Sequence, residues 1–127
     1  MTDVSPIIPA GRQVIESYGG GGFRITGKRY GYAVIVQPTE TLAWAAAKWD
    51  AVSADTLSQL FDAAAREPLT LLLGTGETQH FPSRALRQEL RAQGIVVESM
   101  NTGAACRTFN VLMAEGRKVA AALLPVE

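Results

Sequence analysis

Two short segments place small, hydroxyl and amide side chains directly after apolar runs: Gly74-Thr75-Gly76 after Leu69 to Leu73, and Asn101-Thr102-Gly103 after Ile95 to Met100. Loops of this kind present backbone N–H groups, and where one of them opens a helix those groups and the positive end of the helix dipole form a seat for an anion. Arg107 follows the second loop by about one helical turn, and helical side chains lean toward the helix start, so its guanidinium is placed to clamp an anion there. Asn110 is its neighbour three residues on. Glu98 interrupts the apolar run before the second loop and, if buried, would be a candidate general base. Thr75, Gly76, Glu98, Thr102, Arg107 and Asn110 therefore make up a candidate ligand or partner rim. Each also has a plainer role: turns and caps for the glycines and hydroxyls, a solvated helix face for Arg107 and Asn110, a solvent-facing carboxylate for Glu98. Neither loop completes a G-x-G-x-x-G or P-loop pattern.

Other reactive residues carry less. Cys106 lies in the first turns of the same helix, where the dipole favours a thiolate, but it borders the apolar stripe and reads as a small core residue. His80, the single histidine, sits in the polar loop Glu77-Thr78-Gln79-His80 and specifies no partner for it. Gly19 to Gly22 lie between two strands, which suits a hairpin or bulge rather than a phosphate loop. No residue set points to a metal or a cofactor, and the catalytic residues of any enzyme stay unspecified.

The elements that must position the rim follow from periodicity. Val14 to Tyr18, Phe23 to Thr26, Tyr30 to Val36 and Leu42 to Ala46 read as antiparallel strands, with a turn at Gly27-Lys28-Arg29. After Ser53, a candidate N-cap, Leu57, Leu60, Phe61, Ala64 and Ala65 mark one helical face, which Pro68 ends. Leu69 to Leu73 is a buried strand; a helix follows from Pro82 to Gly94, with Leu86 and Leu90 one turn apart. Ile95 to Met100 is the next strand. A third helix opens near Thr102 as its cap, shows an apolar stripe of Ala105, Phe109, Leu112 and Met113, and stops at Gly116 before the strand Val119 to Leu124. Its opposite stripe, Gly103, Arg107, Asn110 and Ala114, points away from the core. The fold class is α/β: a single three-layer domain with an N-terminal antiparallel β appendage, over residues 1–127, with 1–13 an irregular arm. Strands before residues 74 and 101 should run in parallel and bring the two loops onto one rim.

Composition sets further bounds. The 127 residues are 47% apolar, which suits one globular domain. Twelve Lys and Arg against twelve Asp and Glu give zero net charge and no footprint for nucleic acid. A single cysteine closes no internal disulfide, no apolar run approaches the ~20 residues of a membrane span, and the start lacks the basic flank and apolar core of a signal peptide. A cytoplasmic chain is the expectation.

The segment Leu71 to Gly76, then Pro82, then Gly94 to Thr102, resembles the family containing mitochondrial complex I assembly factor 3 and its uncharacterised bacterial and archaeal relatives. Ala105 to Leu112, Glu115-Gly116-Arg117 and Val119 to Leu123 resemble its C-terminal signature, with Phe109 where a tyrosine is common; Tyr18, Gly21-Gly22-Phe23 and Gly31 to Val36 fit its opening strands. The likeness runs from about Val14 to Pro125. It implies a compact α/β domain with a mixed sheet, no firmly established enzymatic activity, and, for mitochondrial members, a part in assembling the matrix arm of respiratory complex I with a second assembly factor. The sequence does not open on the Arg-rich presequence of those members, which is the expectation for a prokaryotic version or for a processed form. The leading expectation is thus a non-enzymatic binding or assembly-factor-like module whose partner is a respiratory complex subunit or another assembly factor, with a homo-oligomer compatible. The alternative is a small enzyme or ligand-binding domain holding an anionic metabolite at the Gly74-Thr75-Gly76 and Thr102-Gly103 loops, with Glu98 as base and Arg107 as clamp.

Overall fold

The computed structural model describes residues 10–127; residues 1–9, most of the arm expected over 1–13, lie outside the described residues. A three-stranded antiparallel sheet, β1 (Ile15–Gly19), β2 (Gly22–Ile25) and β3 (Lys28–Tyr30), comes first in the chain. A five-stranded sheet follows from β4 (Val34–Val36), β5 (Thr41–Ala43), β6 (Leu69–Gly74), β7 (Ile95–Met100) and β8 (Val119–Leu123), in the order β5-β4-β8-β6-β7. β6 runs parallel to both β7 and β8, and β4 runs antiparallel to β5 and β8. The helices are α1 (Phe61–Arg66), α2 (Arg84–Ala92) and α3 (Thr102–Ala114). This is the α/β architecture with an antiparallel appendage that the periodicities imply, and the mixed sheet that the family resemblance implies.

The central strands are apolar on both sides because both faces of the sheet are covered. Leu69, Leu71, Leu73, Ile35, Ala120 and Ala122 pack on one side with Leu57, Leu60, Ala64 and Leu90. The intervening Leu72, Val34, Val36, Val119, Ala121 and Leu123 pack on the other with Ala105, Cys106, Phe109 and Met113 of α3 and with Ile15, Phe23 and Ile25 of the small sheet. The chain leaves β6 for β7 through α2, then returns past β6 to β8 through α3. Right-handed crossovers made in opposite directions require their helices on opposite faces, which is where α2 and α3 pack.

Local chemistry moves several boundaries from where the sequence sets them. The helix expected after Ser53 begins as a tighter 3-10 segment, Asp55–Leu60, and becomes α only from Phe61. Ser53 and Thr56 bond each other, Ser53 N–H to Thr56 Oγ1 at 3.1 Å and Thr56 Oγ1 to the Ser53 carbonyl at 2.8 Å, and such short polar side chains compete with helical backbone bonds. α2 starts at Arg84 rather than at Pro82, and Ser83 caps it by accepting from Leu86 N–H at 3.1 Å. Asn101, not Thr102, caps α3, by accepting from Ala104 N–H at 2.8 Å. The turn expected at Gly27-Lys28-Arg29 is Thr26-Gly27, with φ of 46° and 80°, the left-handed pair of a two-residue hairpin. Thr26 holds that conformation because Val14 bonds it twice, donating to its Oγ1 at 2.8 Å and accepting its N–H at 2.9 Å. The single strand expected from Tyr30 to Val36 is split, since Tyr30 closes one sheet and Val34 opens the other.

β7 is an edge strand, and two of its carbonyls are occupied by side chains: Val97 O by Arg87 at 3.2 Å and Ser99 O by Gln79 at 2.8 Å. Edge strands left bare template pairing with other chains, and these two donors blunt that. No helix among the described residues is long and apolar enough to cross a membrane.

Candidate functional site

β6 sends its chain to one face of the sheet and its parallel neighbour β7 to the other, so the crevice at their carboxyl ends is the place where an open α/β sheet binds ligands. Both Gly/Thr loops sit there, on one rim. The crevice is laced shut by their own hydrogen bonds. Thr75 N–H reaches Met100 O at 2.9 Å, Thr102 N–H reaches Gly76 O at 2.8 Å, and Gly76 N–H donates to Thr102 Oγ1 at 2.9 Å. Thr102 is fully buried and its hydroxyl donates to Leu124 O at 2.7 Å. The buried Thr75 hydroxyl donates to Thr78 O at 2.7 Å and accepts from His80 N–H at 2.9 Å, which folds the Gly76 to His80 segment back on itself. Both threonines thus spend their donor and an acceptor site inside the chain. The buried side-chain polar atom without a partner among the described residues is Trp44 Nε1, not an atom of either loop.

The polar stripe of α3 is not a solvated face. Asn110 accepts from Ile15 N–H at 2.9 Å and donates to Ile15 O at 2.8 Å, so its amide serves β1 as a neighbouring strand would, beside the bulge between Ile15 and Ser17. Gly103 is buried beneath Tyr18, whose hydroxyl occupies the space a Cβ would take, so a larger residue there would push the Tyr18 ring aside. Arg107 alone of the three stays exposed. It lines a hollow of about 340 Å³ between β1 and α3 with Glu16, Tyr18, Cys106 and Asn110. A second hollow of about 300 Å³, lined by Tyr18, Gly76, Glu77, Asn101, Gly103 and Glu127, adjoins the laced loops. Tyr18 and Glu77, which pattern alone did not single out as site residues, are shared or central here. Glu98, opposite Leu72 in the parallel register, is exposed and lines neither hollow, so the burial a general base there would need is not found.

Cys106 and His80 belong to different neighbourhoods. Cys106 is buried in the cluster beneath α3, and that burial pushes its thiol up from 9.0 to about 12 despite the nearby Arg107 charge. Cys106 is thus the small core residue that its place beside the apolar stripe implies, and burial outweighs the dipole that would favour a thiolate. His80 stacks on Trp49, ring centroids 5.5 Å apart and 15° from parallel. A thiol reagent at pH 8 is expected to leave Cys106 untouched in the folded chain and to react once urea unfolds it. Because the folded state keeps a proton that the unfolded thiol loses, stability contributed by this site is complete below 9.0 and falls as pH rises toward about 12. Urea titrations against a Cys106→Ala variant between those values isolate that fall, and a difference that does not change with pH would refute it.

The comparisons with known proteins agree with this architecture. A family profile described as "Protein of unknown function (DUF498/DUF598)" matches residues 15–124. The chain is 37% identical over 118 residues to an uncharacterized protein of Rhodobacter capsulatus, covering 92% of this chain and 88% of that protein. It is 38% identical over 112 residues to NADH dehydrogenase (ubiquinone) 1 alpha subcomplex assembly factor 3 of Danio rerio, covering 88% of this chain and 64% of that protein. The chain therefore spans less than two thirds of that relative's length. The crystal structure of a Bordetella parapertussis protein superposes with a TM-score of 0.81 at 38% identity, covering 92% of this chain and 99% of that one.

Proposed function

The chain belongs to the DUF498/DUF598 family, and from that premise we propose that it is a non-enzymatic protein-binding module of the assembly-factor type. Its likeness to assembly factor 3 of Danio rerio supports the class of role. The observation that carries the reading is where hydrogen-bonding capacity goes. Thr75, Thr102 and Asn110 are consumed by the fold, while Arg107 stands exposed beside an open hollow at Tyr18. That is a surface to be met by a partner rather than a pocket equipped to turn over a substrate. The partner is a respiratory complex subunit or another assembly factor, met in the cytoplasm through Arg107, Gly76 and the exposed Glu98 strand. Affinity capture of the tagged chain from its native host is expected to enrich a protein set that Arg107→Glu depletes severalfold. A set indifferent to Arg107→Glu, or none enriched, removes the basis of the reading.

A second reading, an anionic metabolite held between the Gly74-Thr75-Gly76 and Thr102-Gly103 loops, is favoured by the hollow of about 300 Å³ that joins Gly76 to Gly103. The carboxylates of Glu77 and Glu127 on its wall work against an anion. Saturating ligand raises stability by about 2.7 kcal/mol at a hundredfold excess over Kd, so a thermal-shift screen of small anions discriminates the two.

A further inference from the structure

A groove on the opposite face from α3 is built differently from the hollows described above. Its floor and sides come from Trp49, Val52, Ala54 and Leu86, half-buried side chains that pack against the first core cluster with one side and leave the other open. Its volume is about 440 Å³, and Phe81 stands at the opening with 71% of its surface exposed. The two charged side chains that line it are both carboxylates, Asp50 on one wall and Glu89 on the α2 wall, and neither has an ion-pair partner among the described residues. Trp49 is held in place: the Thr75 hydroxyl fixes the His80 backbone, and the His80 ring stacks on the indole. A wall whose rotamer is already set loses less entropy when something docks on it.

We propose that this groove is the docking site for a helix of a partner protein that presents an apolar anchor between two basic side chains. The apolar floor takes the anchor, as in helix-in-groove recognition, and the unpaired Asp50 and Glu89 take the flanking charges. The same two carboxylates repel phosphate, which sets nucleic acid and anionic lipid aside. The surface is separate from the Arg107 face, so the inference stands or falls independently of the assembly-factor reading.

The test uses a capped synthetic helix of alanine and glutamine carrying one leucine with arginines four residues before and three after, and a second peptide with glutamates in their place. In 15N spectra of the full chain, the arginine peptide is expected to shift the Trp49 indole resonance and the amides of Phe81, Leu86 and Glu89 saturably. The glutamate peptide should bind about tenfold more weakly or not at all. The double variant Asp50→Lys with Glu89→Lys, both at exposed positions, should reverse the preference, and its spectrum reports whether it is folded. Equal response to both peptides, shifts elsewhere, or no saturable shift overturns the proposal. Concentration-dependent shifts of the same resonances without peptide would also overturn it, assigning the groove to a second copy of the chain.

Discussion

Thr102→Val is expected to lower the urea midpoint of unfolding substantially without changing its slope, because it exchanges the hydroxyl for a methyl of similar size that neither donates nor accepts. Two backbone groups lose their partner at once: Leu124 O, which accepts the hydroxyl at 2.7 Å, and Gly76 N–H, which donates to it at 2.9 Å. An unsatisfied buried backbone group costs about 1–3 kcal/mol, and the Leu124 carbonyl lies fully inside while the Gly76 amide is half-covered, so the sum falls toward the middle of that range doubled. Thr102→Ser retains both bonds and loses a methyl, which costs about 1 kcal/mol. The pair of variants separates a strut from a ligand residue. If Thr102→Val is as stable as Thr102→Ser, the hydroxyl is not holding the loops together and the rim must be read again as an open site.

That strut also marks the boundary of what the sequence discloses. β6 and β8 are legible almost residue by residue, because a strand covered on both faces must be apolar throughout, and β7 is legible as an apolar run that Glu98 interrupts on its open side; Gly74, Gly94 and Gly116 punctuate the run. The common rim follows from the same reading, since parallel strands joined by crossover helices end on one side. The fate of the rim's polar atoms is not legible, because their partners are remote. Thr102 bonds a carbonyl 22 residues away and Asn110 bonds Ile15 across 95 residues. The stripe of Gly103, Arg107 and Asn110 is correctly placed opposite Phe109, yet a stripe of small and polar residues looks the same whether water or the polar edge of a strand lies against it. Here β1 covers Gly103 and Asn110 and leaves Arg107. The capping exchange at α3 has the same origin: asparagine and threonine are adjacent candidates, and Thr102 is withdrawn from capping by its bond to Leu124.

The small sheet depends on α3 in a way that a single truncation exposes. Its buried apolar side chains, Ile15, Phe23 and Ile25, all lie in the cluster around Phe109, which also reaches Leu72 and Leu123 of the large sheet. Phe109 is fully buried, and Phe109→Ala is expected to destabilise the chain by about 3–5 kcal/mol, a large part of the ~5–15 kcal/mol that holds a domain of this kind. The loss will not be spread evenly. The cavity opens where the small sheet meets the helix, while β6 and β8 keep Leu71, Leu73, Ala120 and Ala122 packed on the far side. Hydrogen exchange under native conditions should therefore show β1 to β3 losing protection well before β6, the low-stability unit opening on its own. Leu90→Ala, a truncation in the other cluster, serves as the control: it should lower global stability by about 2–5 kcal/mol while β1 to β3 and β6 keep their relative order of protection. Equal loss in β1 to β3 and β6 after Phe109→Ala would mean that the small sheet is held by something other than its contact with α3, and the Asn110 clamp on Ile15 would be the next bond to cut.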